Sequence, residues 1–443
     1  MQNNAVTVVG AGLAGCEATY QIAKRGVKVT LYEMKPTKMT PAHHSEKFAE
    51  LVCSNSLRSN QTFNAIGLLK EELRRMDSLI MQAALATEVP AGAAFAVDRE
   101  KFSDYITKAI RTNENITVIE EEITSIPNEG IIVIATGPLT SDALSDHLAE
   151  VLASNKLHFF DAAAPIVDAS TIDMNKAYLA SRYGKGEACY INCPMTKEEY
   201  DIFYQALITA KEAPLKEFDR EQQKELTVFE GCMPVEVMAK RGYETLLFGP
   251  LKPVGLPDPK TGRDPFAVVQ LRQENLGCTM YNLVGFQTHL TFEEQRRVFR
   301  LIPGLEEAAF LRYGVMHRNT FLDSPRLLSA DYSLRSRPEV FFAGQMTGVE
   351  GYVESAASGF VAGVNAARRV LEKEPFFFSS QSAVGALAHY VSNTAVTDFQ
   401  PMNVNFGIID ELGYRVKGGK HFKNVALAER ACAYIDSISD EIK

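Results

Sequence analysis

The sequence predicts an α/β fold: a Rossmann-like dinucleotide-binding domain built from both ends of the chain and interrupted by an inserted α+β domain. Three stretches carry that expectation. AVTVVGAGLAGCEATYQIAKRGVKVTLYE (5–33) reads as strand, glycine turn, helix and strand. IIVIATG (131–137) is a further apolar strand ending in glycine, and EVFFAGQMTGVEGYVESAASGFVAGVNAARRV (339–370) is a strand that runs into a helix of small residues. Parallel strands covered on both faces are written as continuous β-branched and aliphatic runs, as these three are.

In the first stretch, Ala5 to Val9 is a buried strand and Gly10, Gly12 and Gly15 form GxGxxG at the turn into a helix that reaches about Arg25. Gly26 ends the helix, Lys28 to Tyr32 is the second strand, and Glu33 stands at its end. The three glycines do different things. Gly10 permits the tight turn, Gly12 lets backbone approach a pyrophosphate, and Gly15 lets the helix pack on the strand. Ala11, Leu13 and Ala14 complete the turn, whose helix N-terminus offers free N–H groups to phosphate. Glu33 is placed to accept from a ribose 2′-hydroxyl. A lone GxGxxG is weak; between a strand and a helix, with an acid at this distance, it is specific.

The later stretches point to FAD. A fingerprint at residue 10, an ATG strand end at Gly137 and a glycine-rich junction at Gly344, Gly348 and Gly351 resemble the flavoproteins of the glutathione-reductase type. Many of those place Asp after the last strand's glycine; here Gln345 follows Gly344. Tyr352 stands beside the junction. No second strand–GxGxxG–helix unit is found, so a nicotinamide reductant would visit without a dedicated domain.

Residues 160–310 lack this grammar and are expected to form an inserted domain, leaving 1–160 and 310–443 for the FAD domain and a C-terminal helical tail. Within the insert, TKEEYDIFYQALITAKEAPLK (196–216) has helical spacing, with Tyr200, Phe203, Leu207 and Ile208 on one face. Cys232 precedes Met233-Pro234, and proline disfavours helix in the residue before it, so its thiol is expected in or beside a turn.

With 443 residues, 46% hydrophobic and 23% charged, the chain is globular in composition, and its net charge of −9 argues against binding nucleic acid by overall charge. A local basic stripe is still open. The seven cysteines (16, 53, 189, 193, 232, 278 and 432) contain no CxxC, and no set of four metal ligands has zinc spacing. Their odd number predicts no disulfide framework and a reducing, cytoplasmic setting. No apolar run is long enough to span a bilayer, and no secretory signal is read at the start. Cys53 is unusual: LVCSNSLRSN (51–60) embeds a thiol among serines and asparagines.

GAGLAG with Glu33, LVCSNSLRS, FEGCMPVEVMAKRG, LFGPLKPVGL, MHRNTF and FFAGQMTGVEGYVESAASG together resemble the folate- and FAD-dependent tRNA uracil-C5 methyltransferases, almost end to end, PMNVNFG (401–407) included. The larger flavoproteins that modify wobble uridine share the FAD segments; chain length and CSNSLRS favour the methyltransferases. The resemblance implies FAD as cofactor, 5,10-methylenetetrahydrofolate as carbon donor, NADH or NADPH as reductant, and the T-loop uridine of tRNA (position 54) as substrate. It implies that Cys232 adds to uracil C6, that Cys53 removes the C5 proton, and that His289 stacks on the pteridine. Candidate phosphate contacts are Lys240, Arg241, Lys252, Arg296, Arg297, Arg300, Arg415, Lys417, Lys420 and Lys423. Two alternatives stay open: a flavoprotein acting on wobble uridine, and a non-catalytic FAD module that senses redox state.

Overall fold

The computed structural model describes residues 5–40, 42–152, 157–162, 164–213, 233–314, 316–396 and 399–442, with backbone alone for 157–162 and 316–320. Strands are numbered in chain order. The apolar runs read from the sequence form one sheet: β1 (Ala5–Val9), β2 (Lys28–Tyr32), β6 (Ile116–Ile119), β7 (Ile131–Ile134), β16 (Ser333–Leu334) and β17 (Arg337–Phe342). Their order is β16-β17-β7-β1-β2-β6, and every pairing except β16 with β17 is parallel. Val8 sits between Leu31 and Val133, and all three are buried, as are Phe341 and Phe342. The α/β, Rossmann-like class expected from the three stretches is therefore the one observed.

Two helices lie against each other across this sheet. Gly359 and Gly363 of the Tyr352–Val370 helix face Ala14 and Ala18 of the Leu13–Lys24 helix, so closely that a Cβ at Gly363 would stand 2.7 Å from the Ala18 Cα. The small residues of the C-terminal stretch exist for this approach. A short antiparallel sheet, in the order β3 (Ser56–Ser59), β5 (Ala94–Val97), β4 (Glu88–Val89), flanks the cysteine-bearing segment.

A second sheet holds β9 (Ile166–Asp168), β10 (Tyr178–Ala180), β11 (Tyr190–Met195), β12 (Ala267–Gln273), β13 (Met280–Leu283) and β14 (Phe310–Arg312), in the order β10-β11-β12-β13-β9-β14. It has its own core, to which the Lys197–Ile208 helix contributes buried Tyr200, Phe203 and Leu207. Thr196 and Glu199 form a capping box that starts this helix. An antiparallel pair, β8 (Leu157–Ala162) with β15 (Met316–Phe321), carries the chain between the two cores.

The C-terminal Ala383–Ser392 and Lys420–Ile438 helices pack on the first core. Glu72 of the Ala65–Arg75 helix anchors the former: its fully buried carboxylate accepts from Ala383 N (2.7 Å) and Val384 N (2.9 Å). Burial pushes this carboxyl up to about 8, against the lowering effect of those two N–H groups. Because the folded value lies above the unfolded one, Glu72 contributes stability that is full below about pH 4.5 and is lost as pH rises through about 8. Thermal unfolding of wild type and Glu72→Gln from pH 4.5 to 8.5 should therefore show a steeper fall for wild type, on the order of a few kcal/mol, with the difference confined to that window. Parallel curves would reject the assignment.

Candidate active site

The carboxyl edge of the parallel sheet opens into a cleft. At its floor Gly10 has φ +98°, and a Cβ there would stand 2.7 Å from the Ala135 carbonyl oxygen. Gly15 packs on the Gly10 carbonyl. Gly12 differs. Its φ is −74°, and a Cβ would meet no described atom within 4 Å. Nothing among the described residues demands glycine at that position, and its bare backbone lines the cleft. Gly12 also caps the Leu13–Lys24 helix without a side-chain hydrogen bond, which leaves the first-turn N–H groups for a ligand anion.

Glu33 is buried at one end of the cleft, where it accepts from Ala11 N (2.7 Å) and Lys35 N (3.0 Å), one bond to each carboxylate oxygen. Each oxygen retains acceptor capacity for a ribose hydroxyl. Ala11, Leu13, Ala14, Gly137, Gly344, Gln345 and Tyr352 also line the cleft. The end of β17 is tied to the Tyr352–Val370 helix by Gly344 N donating to Ser358 Oγ at 2.7 Å. Together these groups suit a dinucleotide lying from Glu33 past Gly12 to Tyr352.

Gly348 and Gly351, expected as cofactor contacts, are not among the lining residues. Gly348 has φ +84° under the Phe399 ring, and its carbonyl accepts from Met402 N at 3.0 Å; Gly351 has φ +119° against Glu354. Internal packing accounts for both glycines. Sequence reasoning missed Thr40, His43 and the Pro138–Ser141 stretch, which all line the cleft. The signal for the last was available: it follows closely on β7, at the edge where ligands of such sheets bind.

Cys53 is half-buried beyond the far end of the cleft. Its N–H and that of Ser54 both donate to the Tyr352 hydroxyl, at 2.7 and 3.1 Å. Burial foremost, and the charge of Cys53 next, hold the Tyr352 phenol well above its ordinary value, so it stays protonated. The neighbouring polar residues bind the second core: Asn55 Nδ2 donates to Gln273 O (3.0 Å), and Arg272 reaches Asn55 Oδ1 (3.0 Å) and Ser54 Oγ (2.7 Å). Arg99 forms an ion pair with buried Glu274 at 2.8 Å and also donates to Leu51 O. Arg99 and Arg312, one from each core, both interact electrostatically with Cys53 and Tyr352. The polar character of CSNS thus has a structural source: it seams the two cores.

Cys232 lies outside the described residues. The segments on either side of 214–232 leave from one place: Ala213 N donates to His289 O (2.8 Å) and Val235 N to Gln287 O (2.7 Å). His289 is half-buried; its backbone N–H donates to Glu236 Oε1 at 2.7 Å, and its ring Nε2 has no hydrogen-bond partner among the described residues. Burial lowers its pKa, favouring the neutral ring. Among the described residues no group of three or more His, Cys, Asp or Glu is placed to hold a metal, and no helix is long and apolar enough to cross a membrane.

Of the candidate phosphate contacts, Lys240 pairs with Glu212, Arg297 with Glu294 and Lys423 with Glu411. Arg296 donates to the Tyr313 hydroxyl and Arg300 to Ala308 O. Lys252 is half-buried, while Arg241, Arg415, Lys417 and Lys420 are exposed.

The family model described as glucose inhibited division protein A matches residues 5–374. A methylenetetrahydrofolate--tRNA-(uracil-5-)-methyltransferase TrmFO of Acetivibrio thermocellus is 62% identical over 426 residues, 96% of this chain and 96% of its own length. Its counterpart from Bacillus licheniformis is 59% identical over 437 residues, 99% of each chain. The crystal structure of Aquifex aeolicus GidA matches with a TM-score of 0.69 at 18% identity, over 98% of this chain and 73% of that one, and so shares the fold. The chain belongs to the glucose inhibited division protein A family and, within it, to the group of the methylenetetrahydrofolate–tRNA-(uracil-5-)-methyltransferases.

Proposed function

We propose that this protein methylates C5 of a uridine in tRNA, the T-loop uridine, with 5,10-methylenetetrahydrofolate as carbon donor and FAD in the cleft between Glu33 and Tyr352. The observation that carries the reading is the Tyr352 hydroxyl, which fixes the Cys53 backbone at the end of a dinucleotide cleft. The names of relatives at 62% and 59% identity favour it over wobble-uridine chemistry. NADH or NADPH serves as external reductant, and the cytoplasm, where tRNA and folate meet, is the compartment.

Gly12 and the uncapped helix start hold the pyrophosphate, Glu33 the ribose, and Tyr352 borders the reactive end. Reduced flavin, when bound, supplies the one-carbon relay and the final hydride. Uracil C5 is a poor nucleophile until a thiolate adds to C6, and this is the role of Cys232: its sulfur bonds C6, and the electron pair moves to C5, which then takes the one-carbon unit. Cys53 removes the proton from C5, and the electron pair left there expels the one-carbon carrier to give an exocyclic methylene. Once the exocyclic methylene is reduced to methyl, the Cys232 sulfur leaves C6 and the C5–C6 double bond returns. His289, neutral by burial, offers a flat ring for the pteridine.

Incubating the protein with unmodified tRNA, labelled methylenetetrahydrofolate and NADH or NADPH should give ribothymidine carrying the folate carbon, with no response to S-adenosylmethionine. Unlabelled product or none overturns the proposal. Cys232→Ala should lower turnover by roughly three orders of magnitude or more and abolish the covalent complex with 5-fluorouridine RNA. Cys53→Ala should lower turnover by about 10²–10⁴-fold while keeping that covalent complex, as loss of a general base requires; wild-type turnover would remove Cys53 from the mechanism.

A further inference from the structure

We infer that the segment 413–423, leading into the last helix, is a docking surface for the body of the RNA substrate, remote from the reacting base. The inference rests on the tRNA reading above. The chain as a whole carries −9, yet from Leu412 to Ala428 it has no acidic residue and four cations, Arg415, Lys417, Lys420 and Lys423. All four are exposed. Lys423 pairs with Glu411; Arg415, Lys417 and Lys420 form no ion pair among the described residues. Interleaved with them are two of the more exposed large rings of the molecule, Tyr414 at 66% and Phe422 at 56%.

The placement of those rings is built into the backbone. Gly418 and Gly419 are consecutive residues with φ of +104° and +87°, a conformation glycine adopts without cost. A Cβ at Gly418 would stand 2.5 Å from Phe422 Cδ2, so glycine here lets that ring fold over the turn. His421 then packs edge-on against Phe422 (5.6 Å between centroids) and Phe63 (4.8 Å). Alternating cations and rings match what single-stranded and looped RNA presents, phosphates and base faces.

The surface is tied to the segment that bears Cys53. Asn424 Nδ2 donates to Phe63 O at 3.1 Å, and Phe63 lies ten residues along the chain from Cys53, which limits the separation to about 35 Å. An RNA that gives up one stacked base needs contacts elsewhere to hold it, and this surface supplies them.

The test compares wild type with Arg415→Gln/Lys417→Gln/Lys420→Gln and with Tyr414→Ala/Phe422→Ala, each as the flavin-loaded full chain. The triple variant should reduce the slope of log affinity for tRNA against log salt by about 2–3. It should also raise KM for tRNA at least tenfold, with kcat within twofold and tRNA-independent NADH oxidation unchanged. The double variant should weaken tRNA binding severalfold at an unaltered salt slope. Wild-type tRNA affinity and slope in both variants, beside normal methylation, would overturn this inference alone. A wild-type protein that neither binds nor methylates tRNA would overturn the reading beneath it.

Discussion

The contact between the Leu13–Lys24 and Tyr352–Val370 helices governs the architecture of the site. Side chains larger than glycine at positions 359 and 363 would drive the helices apart, because the opposing atoms are backbone and cannot turn aside. Held together, the two helices present their N-termini to the same edge of the sheet. One start is left bare at Gly12 and the other begins with Tyr352. The phenol that secures Cys53 therefore takes its position from packing at Gly359 and Gly363, further along the same helix.

A second constraint joins the two cores. Polar and charged groups are costly to bury unless partnered, and here they are partnered across the junction: Arg99 with Glu274, Arg272 with Asn55 and Ser54. Such a junction gains little stability over an apolar one but fixes a register, since each donor finds its acceptor in one arrangement only. Lys70 reinforces this segment from below, donating to Leu57 O and Ser59 O at 2.6 Å each while fully buried.

The dinucleotide domain was largely legible in the sequence because its rules are local. The run Ala5–Val9, the glycines at 10, 12 and 15, and Glu33 each act within one strand–turn–helix unit, and the small residues of 354–369 announce a close helix contact. The seam was not legible. Ser54 and Asn55 answer to Arg272 and Gln273, more than two hundred residues away, and no spacing rule joins them. Gly348 and Gly351 show a related difficulty: a glycine at a strand–helix junction can serve a ligand or a neighbouring ring, and beside Gly348 stands the ring of Phe399, from a tail without regular pattern.

The bonds around residues 53–55 have a mechanical consequence. Backbone N–H groups of Cys53 and Ser54 are fastened to Tyr352 in one core, while the side chains of Ser54 and Asn55 are fastened to β12 in the other. A rotation of one core against the other cannot be absorbed in so short a tether. It must either carry the sulfur with it or break the attachments on one side, so the thiol registers the angle between the two halves of the protein.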